Sequence, residues 1–232
     1  MSWGAVIVAA GRGQRFGQPK QLIDIAGKPM LAWSVETFAS MHEITALVVT
    51  TEAEFVPSVE ALVKRAAPKL TSHVIVGGAE RQDSVRLALT ALSERAGPEA
   101  KYAFVHDGAR PMIRTDEVRR GMAAVAPGVG ALLAIPVVDT IKQVNGSRKV
   151  MSTLDRAKLW AAQTPQFGML DDLLHAHRSA HARGIRVTDD AALLEGAGLD
   201  VIVVEGNAEN FKVTVPADLA RAELILRERT AV

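Results

Sequence analysis

The sequence predicts an α/β protein whose core is a mostly parallel, twisted sheet covered by helices. Short β-branched runs alternate with longer amphipathic segments from the start of the chain, the pattern of strands joined through helical crossovers. The chain has 232 residues, 48% of them hydrophobic, enough for one large core, and a single domain over residues 1–232 with a small appendage is expected. One stretch near residue 140 breaks the rhythm and reads as a β-hairpin arm.

In chain order, the first candidate strand is Ala5–Ala9, inside an apolar run that no basic stretch precedes and that leads into Gly11-Arg12-Gly13, unlike a signal peptide. The spacing predicts a helix over Pro29–Ser40, a strand over Ala46–Thr50, a helix over Glu54–Ala66, and a strand over His73–Val76. Next come a helix over Ser84–Arg95, a strand over Tyr102–His106, a helix over Thr115–Ala126 and a strand over Gly130–Ile135. Several of these helices open on Pro, Asp or Thr, residues suited to a helix start. Val137–Val144, Asn145-Gly146 and Lys149–Met151 form the arm, expected over about 137–159. Asn-Gly between alternating strands is a strong hairpin signal, because both residues tolerate the positive φ of a type I′ turn. An isolated hairpin is marginal in water, so this one must pack on something, either its own domain or a partner subunit. Helices over Met169–Arg183 and Ala217–Arg229 and a strand over Val201–Val204 complete the reading.

Charge narrows the function. Lys and Arg number 27 against 26 Asp and Glu, a formal net charge of +1, which fits neither a disordered tail nor a broadly basic nucleic-acid binder. A charged ligand must therefore be held by a local cluster. The chain has no cysteine, which excludes a disulfide scaffold, a thiolate metal site and a cysteine nucleophile and suits a reducing cytoplasm. No apolar run approaches the eighteen or so residues of a membrane span, so no membrane partner is expected.

One such cluster follows the first strand, in Ala9-Ala10-Gly11-Arg12-Gly13-Gln14-Arg15-Phe16-Gly17-Gln18-Pro19-Lys20. Small residues let a ligand approach the backbone, and grouped N–H donors after a strand form an anion-binding concavity. It is not the dinucleotide fingerprint, because the third glycine, Gly17, comes one place late and the second strand closes in Thr50-Thr51 without an acidic residue. Nor is it a P-loop. Arg12, Arg15, Lys20 and Lys28 against Asp24 give 4 − 1 = +3, and Arg forks with Lys point charges suit a polyphosphate. A nucleoside triphosphate site is the better reading over a solvated basic loop.

Further candidates also sit at strand ends. Asp107, in His106-Asp107-Gly108-Ala109-Arg110-Pro111, would face the same crevice and suits Mg²⁺, which takes one or two carboxylates plus substrate phosphates. The alternative is a turn in which Asp107 pairs with Arg110. Gly77-Gly78 through Ser84 could read a base edge or simply cap a helix. Asp155-Arg156, Gln163-Thr164-Pro165-Gln166, Thr188-Asp189-Asp190 and Lys212-Val213-Thr214 place polar groups at element edges, none individually above background. His177 and His181 have metal-ligand spacing but lack the H-E-x-x-H glutamate, so an exposed polar helix face is expected. A serine-hydrolase elbow is absent.

Taken in order over nearly the whole chain, these blocks, with Asp139-Thr140-Ile141-Lys142 and Thr153–Arg156, resemble the 2-C-methyl-D-erythritol 4-phosphate cytidylyltransferase family of the non-mevalonate isoprenoid pathway. The resemblance implies a Rossmann-like nucleotidyltransferase fold with helices on both faces, a homodimer with interlocking arms, and CTP and methylerythritol phosphate as substrates. It implies that Ala9, Ala10, Gly11, Gly13, Arg15, Lys20, Gly78 and Ser84 bind CTP and that Asp107 holds Mg²⁺ beside it. Arg15 and Lys20 would stabilise the transition state, with Lys212 on the reacting phosphates. Arg110, Thr188 and Thr164 would bind methylerythritol phosphate, joined by Thr140 and Arg156 from the other subunit's arm. Gly108 stands where the family commonly has Ala and Val8 where Pro is frequent. Two alternatives remain at this point: a ribitol 5-phosphate cytidylyltransferase, to be distinguished around Thr140, Arg156 and Thr188, and a nucleotide-binding regulatory module without catalysis.

Overall fold

The computed structural model describes residues 1–11, 20–95 and 100–230. The strands are β1 (Trp3–Val8), β2 (Asp24–Ile25), β3 (Lys28–Pro29), β4 (Ile44–Thr51), β5 (Thr71–Val76), β6 (Tyr102–Asp107), β7 (Val129–Pro136), β8 (Lys142–Val144), β9 (Val150–Thr153), β10 (Trp160–Met169) and β11 (Asp200–Glu205). The helices are α1 (Met30–Ala39), α2 (Val56–Ala66), α3 (Arg81–Arg95), α4 (Thr115–Ala123), α5 (Leu170–Ala182), α6 (Asp190–Gly196) and α7 (Pro216–Thr230).

Seven strands form one sheet in the order β11-β7-β10-β6-β1-β4-β5. β1 pairs in parallel with β4 and β6, β4 with β5, and β7 with β11. Only β10 runs antiparallel, between β6 and β7. The sheet is thus mostly parallel, as the alternation of runs predicts. Alternating side chains along the strands feed two cores. On one face Ala5, Ile7, Leu47, Val49 and Phe104 meet Leu31 and Phe38 of α1, Val59 and Leu62 of α2, and Val118 of α4. On the other, Val6, Val48, Ala103 and Val105 meet Val85 and Leu89 of α3, Leu173 of α5 and Leu193 of α6. Helix α7 closes a smaller cluster in which Ala222 and Leu226 pack with Ile25, Met30, Met112 and Val213.

Besides the two-residue strands β2 and β3, two elements escape the sequence reading. Strand β10 contains Gln163-Thr164-Pro165-Gln166, and a proline inside a polar run argues against a central strand because it cannot donate to the ladder. The structure accommodates it at an irregularity, where the register against β7 shifts between Ala162 and Gln166. Helix α6 is only seven residues long, too short for periodicity to show. Helix α3 begins at Arg81, three residues before the predicted start, and α4 ends at Ala123 rather than Ala126.

The hairpin β8–β9 is present, but its turn differs from the expected two-residue one. The Asn145 amide donates to the Lys149 carbonyl and the Arg148 amide to the Asn145 carbonyl, and Arg148, with φ +61°, takes the left-handed position. This makes a three-residue loop over Gly146-Ser147-Arg148. Asn145 drives it: its Oδ1 accepts from the Ser147 and Lys149 amides at 3.1 and 3.0 Å. The arm leaves apolar side chains in solvent, with Val138 80% and Met151 63% exposed. No helix among the described residues is long and apolar enough to cross a membrane.

Candidate active site

Parallel strands deliver their carboxyl ends to one edge of the sheet, and chain reversals there leave a crevice. At the end of β1, the Ala9 amide bonds to the Thr50 carbonyl and the Ala9 carbonyl accepts Gln21 Nε2 at 2.5 Å, which ties this strand end to β4 and to Gln21. At the end of β5, Gly77 lies against Ala10 so closely that a Cβ on Gly77 would sit 2.5 Å from the Ala10 Cβ. A Cβ on Gly78 would meet the Asp83 Cβ at 2.4 Å. Glycine is therefore dictated by close backbone approach. Between these loops opens a cavity of about 430 Å³, lined by Ala9, Ala10, Gly11, Lys20, Gly78, Ser84, Asp107 and Lys212 among others. Its volume falls in the range of nucleotide-sized ligand sites.

The second cavity, about 240 Å³, lies on the other side of Asp107 and is lined by Arg110, Gln163, Thr164, Gln166, Thr188 and Asp189. Arg81, Asp107 and Lys212 line both cavities. Asp107 ends β6, and its carboxylate is shared: Arg81 Nε donates to Oδ1 at 2.9 Å and Lys212 Nζ to Oδ2 at 2.8 Å. Burial alone raises the pKa of Asp107, but the charges of Arg81 and Lys212 outweigh it and hold the group far below the usual carboxylate range. Arg110 stands 4.0 Å from Oδ2 and donates to the Asn210 carbonyl at 2.7 Å. Its amide also bonds to the Asp107 carbonyl, so the turn and the crevice-facing carboxylate coexist.

A buried relay fixes this turn. The Asp107 amide donates to Thr164 Oγ1 at 3.0 Å, and Thr164 Oγ1 lies 3.2 Å from His106 Nδ1. His106 Nε2 lies 3.1 Å from the Arg110 carbonyl. A carbonyl only accepts, so Nε2 carries the proton and Nδ1 accepts from the Thr164 hydroxyl. Burial pushes the His106 pKa down to about 3, in keeping with that neutral ring. Thr164 thus lines the second cavity with its hydroxyl committed to the sheet, and its carbonyl accepts Asn210 Nδ2 at 2.9 Å.

The structure gathers most of the residues that the sequence singles out. Lys20 reaches the cavity with Nζ donating to the Val213 carbonyl at 3.1 Å, beside Lys212. Gly13 and Arg15, with Arg12, lie outside the described residues. Lys28 does not join the basic cluster: it pairs with Glu36 and sits over the Trp33 ring. Ser84 neither caps α3 nor points a free hydroxyl at a ligand. It is buried, accepting the Gly78 amide at 3.0 Å and donating to the Glu80 carbonyl at 3.1 Å. Thr140 and Arg156 lie in the arm region, line neither cavity, and Arg156 donates instead to the Val138 carbonyl at 2.6 Å.

His177 also departs from expectation. It is fully buried rather than on an exposed helix face, with Nε2 3.1 Å from Asp190 Oδ1, while His181 lies 3.7 Å from Asp83. Arg81 and Asp190 had no distinguishing local signal, because their meaning arises only where α3, α6 and β6 converge. Among the described residues no group of three or more His, Cys, Asp or Glu is placed to hold a metal. Asp107 is the carboxylate that lines both cavities, while Glu52 and Glu80 line only the larger and Asp189 only the smaller.

Glycine-lined backbone, converging lysines and a single carboxylate between two cavities, at the end of a mostly parallel sheet, define a nucleotidyltransferase. The 2-C-methyl-D-erythritol 4-phosphate cytidylyltransferase profile matches residues 4–228. The enzyme of that name from Synechococcus elongatus is 42% identical over 97% of this chain and 96% of its own length. That from Halalkalibacterium halodurans is 38% identical over 99% of both. The crystal structure of the Thermus thermophilus enzyme superposes with a TM-score of 0.79 at 31% identity, covering 98% of this chain and all of that one. The chain belongs to the 2-C-methyl-D-erythritol 4-phosphate cytidylyltransferase family.

Proposed function

We propose that the larger cavity binds CTP, the smaller binds 2-C-methyl-D-erythritol 4-phosphate, and the wall of Arg81, Asp107 and Lys212 between them is where the cytidylyl group changes hands. The observation that carries this is the sharing of those three residues by both cavities. An acceptor phosphate oxygen attacks the α-phosphorus of CTP. The new P–O bond forms as the bond to the β-phosphate breaks, giving 4-diphosphocytidyl-2-C-methyl-D-erythritol and pyrophosphate. The nucleophile is already anionic, so no general base is needed. Catalysis is then a matter of in-line positioning and charge neutralisation, supplied by Lys20, Lys212 and Arg15.

Asp107 is the residue that would hold Mg²⁺. A hard carboxylate facing the nucleotide cavity, with no second one required, matches how the ion binds alongside substrate phosphates. When bound, the ion neutralises charge on the triphosphate. Arg110 and Thr188 face the acceptor. Thr140 and Arg156 reach it from the arm of a second copy in a homodimer, a reading supported by the arm's exposed Val138 and Met151. We read the chain as one cytoplasmic nucleotidyltransferase domain with this arm.

Pyrophosphate release from CTP and Mg²⁺ is the test, with methylerythritol phosphate and ribitol 5-phosphate as acceptors. Turnover with the first at a kcat/KM well above the second is expected. Equal or greater turnover of ribitol phosphate overturns the acceptor assignment, and no release with either overturns the catalytic one. For the arm, heterodimers of a Lys20→Ala and an Arg156→Ala subunit are expected to regain activity, since one of their two sites is intact. Absence of recovery refutes arms acting in trans.

A further inference from the structure

Arg81 is the first residue of α3, and its guanidinium is divided between two carboxylates. Nε donates to Asp107 Oδ1 at 2.9 Å, while Nη1 and Nη2 donate to Asp190 Oδ1 and Oδ2 at 3.2 and 2.8 Å. The fork that matches a carboxylate best is thus spent on Asp190, away from the reacting centre. Asp190 is itself held. Its side chain is 1% exposed, the carboxylate takes a third hydrogen bond at Oδ1 from His177 Nε2 at 3.1 Å, and its amide donates to Gln166 Oε1 at 2.8 Å. Burial raises the Asp190 pKa, and Arg81 and His177 reverse this and keep the carboxylate ionised. Among the described residues His177 has no other hydrogen-bonded ring atom, since Nδ1 is buried without a partner, so its polar contribution to this network is the one bond to Asp190.

The division of Arg81 matters because Asp107 has only two oxygens. With the fork on Asp190, Arg81 meets Asp107 through Nε alone and leaves Oδ2 to Lys212, 2.8 Å away. A fork freed from Asp190 could cover both oxygens of Asp107 and displace Lys212 from the seam between the cavities. We propose that Asp190 and His177 are positioning residues for nucleotidyl transfer: they aim Arg81 so that Asp107 and Lys212 keep their places at the seam. The inference rests on the function proposed above and adds to it a buried pair that touches neither substrate.

The test uses the full-length protein with CTP, Mg²⁺ and methylerythritol phosphate, with each variant assayed well below its own unfolding midpoint. Asp190→Asn is isosteric and removes the charge that holds the fork. The expected result is a kcat about 10- to 100-fold lower, the range of one charge-assisted hydrogen bond, with CTP affinity by calorimetry changed less than about 3-fold. In an Arg81→Lys background the same change should add less than about 2-fold, because both act through one guanidinium. His177→Leu should lose activity and His177→Gln, which keeps an N–H for Asp190, should regain most of it. Wild-type kcat in Asp190→Asn, full additivity with Arg81→Lys, or equal loss in the Leu and Gln variants overturns the proposal. If Asp190→Asn does not fold, the His177 pair decides. An inactive wild-type protein would instead overturn the parent reading.

Discussion

Replacing Thr164 by Val separates two accounts of that residue. The family resemblance places Thr164 on the acceptor, whereas the structure spends its hydroxyl on the Asp107 amide at 3.0 Å and on His106 Nδ1 at 3.2 Å. Val keeps the shape and deletes both bonds, leaving a buried N–H and a buried ring nitrogen unpaired. Each unsatisfied group costs about 1–3 kcal/mol, and the nitrogen acceptor falls at the low end, so the loss should be about 2–4 kcal/mol. For a chain of this size, each kcal/mol lowers the midpoint by about 2–4 °C, giving a fall of about 4–16 °C without ligand. Thr164→Ser retains the hydroxyl and should lose little. Calorimetric unfolding of the three proteins, followed by acceptor KM, is the assay. A Val variant with the wild-type midpoint but a strongly raised acceptor KM would refute the relay and restore Thr164 as a direct contact.

The same relay sets a pH dependence. The His106 pKa is about 3 when folded, against an ordinary value of 6.5, so the unfolded chain binds the extra proton first. Stability should be level above about pH 6.5 and fall as pH drops from there towards 3, and urea titrations from pH 7.5 to 4 should show a shallower fall in His106→Asn; identical slopes would count against the buried neutral ring. At the nucleotide loops, Gly77→Ala puts a methyl 2.5 Å from the Ala10 Cβ, an overpacking worth about 1–3 kcal/mol that should also weaken CTP binding by calorimetry. Gly108→Ala would place a methyl 3.2 Å from Ile7 Cγ2 and 3.3 Å from the Ala9 Cβ and the Val8 carbonyl oxygen, tighter than ordinary contact but looser than at Gly77, so a smaller fall in midpoint and CTP affinity than for Gly77→Ala is expected.

How far the site could be read from sequence depends on which force places each residue. The loop after β1 and Asp107 after β6 were legible because short apolar runs mark strands, and the residues that follow parallel strands must share one edge. Lys28 shows the limit of counting charges: it belongs to the basic cluster by sequence, yet Glu36 one helical stretch later and the Trp33 ring draw it away. Strand β10 was hidden because Pro165 contradicts a central strand everywhere except at an irregular register. His177 looked like a surface residue on α5, since helical spacing gives a face but not what covers it.

The sequence by itself determined the mostly parallel α/β sheet and the order of its loops, because these follow from local periodicity, whereas the need for glycine at Gly77 came from its approach to Ala10 in space. Tertiary structure alone decided that Arg81 reaches past its own helix to Asp107 and Asp190, that Thr164 turns its hydroxyl inward, and that one wall serves two cavities. Those are through-space matters of charge and hydrogen-bond satisfaction between segments as much as 109 residues apart. A buried carboxylate must find its cation wherever the packed elements bring one, and no spacing along the chain specifies where that will be.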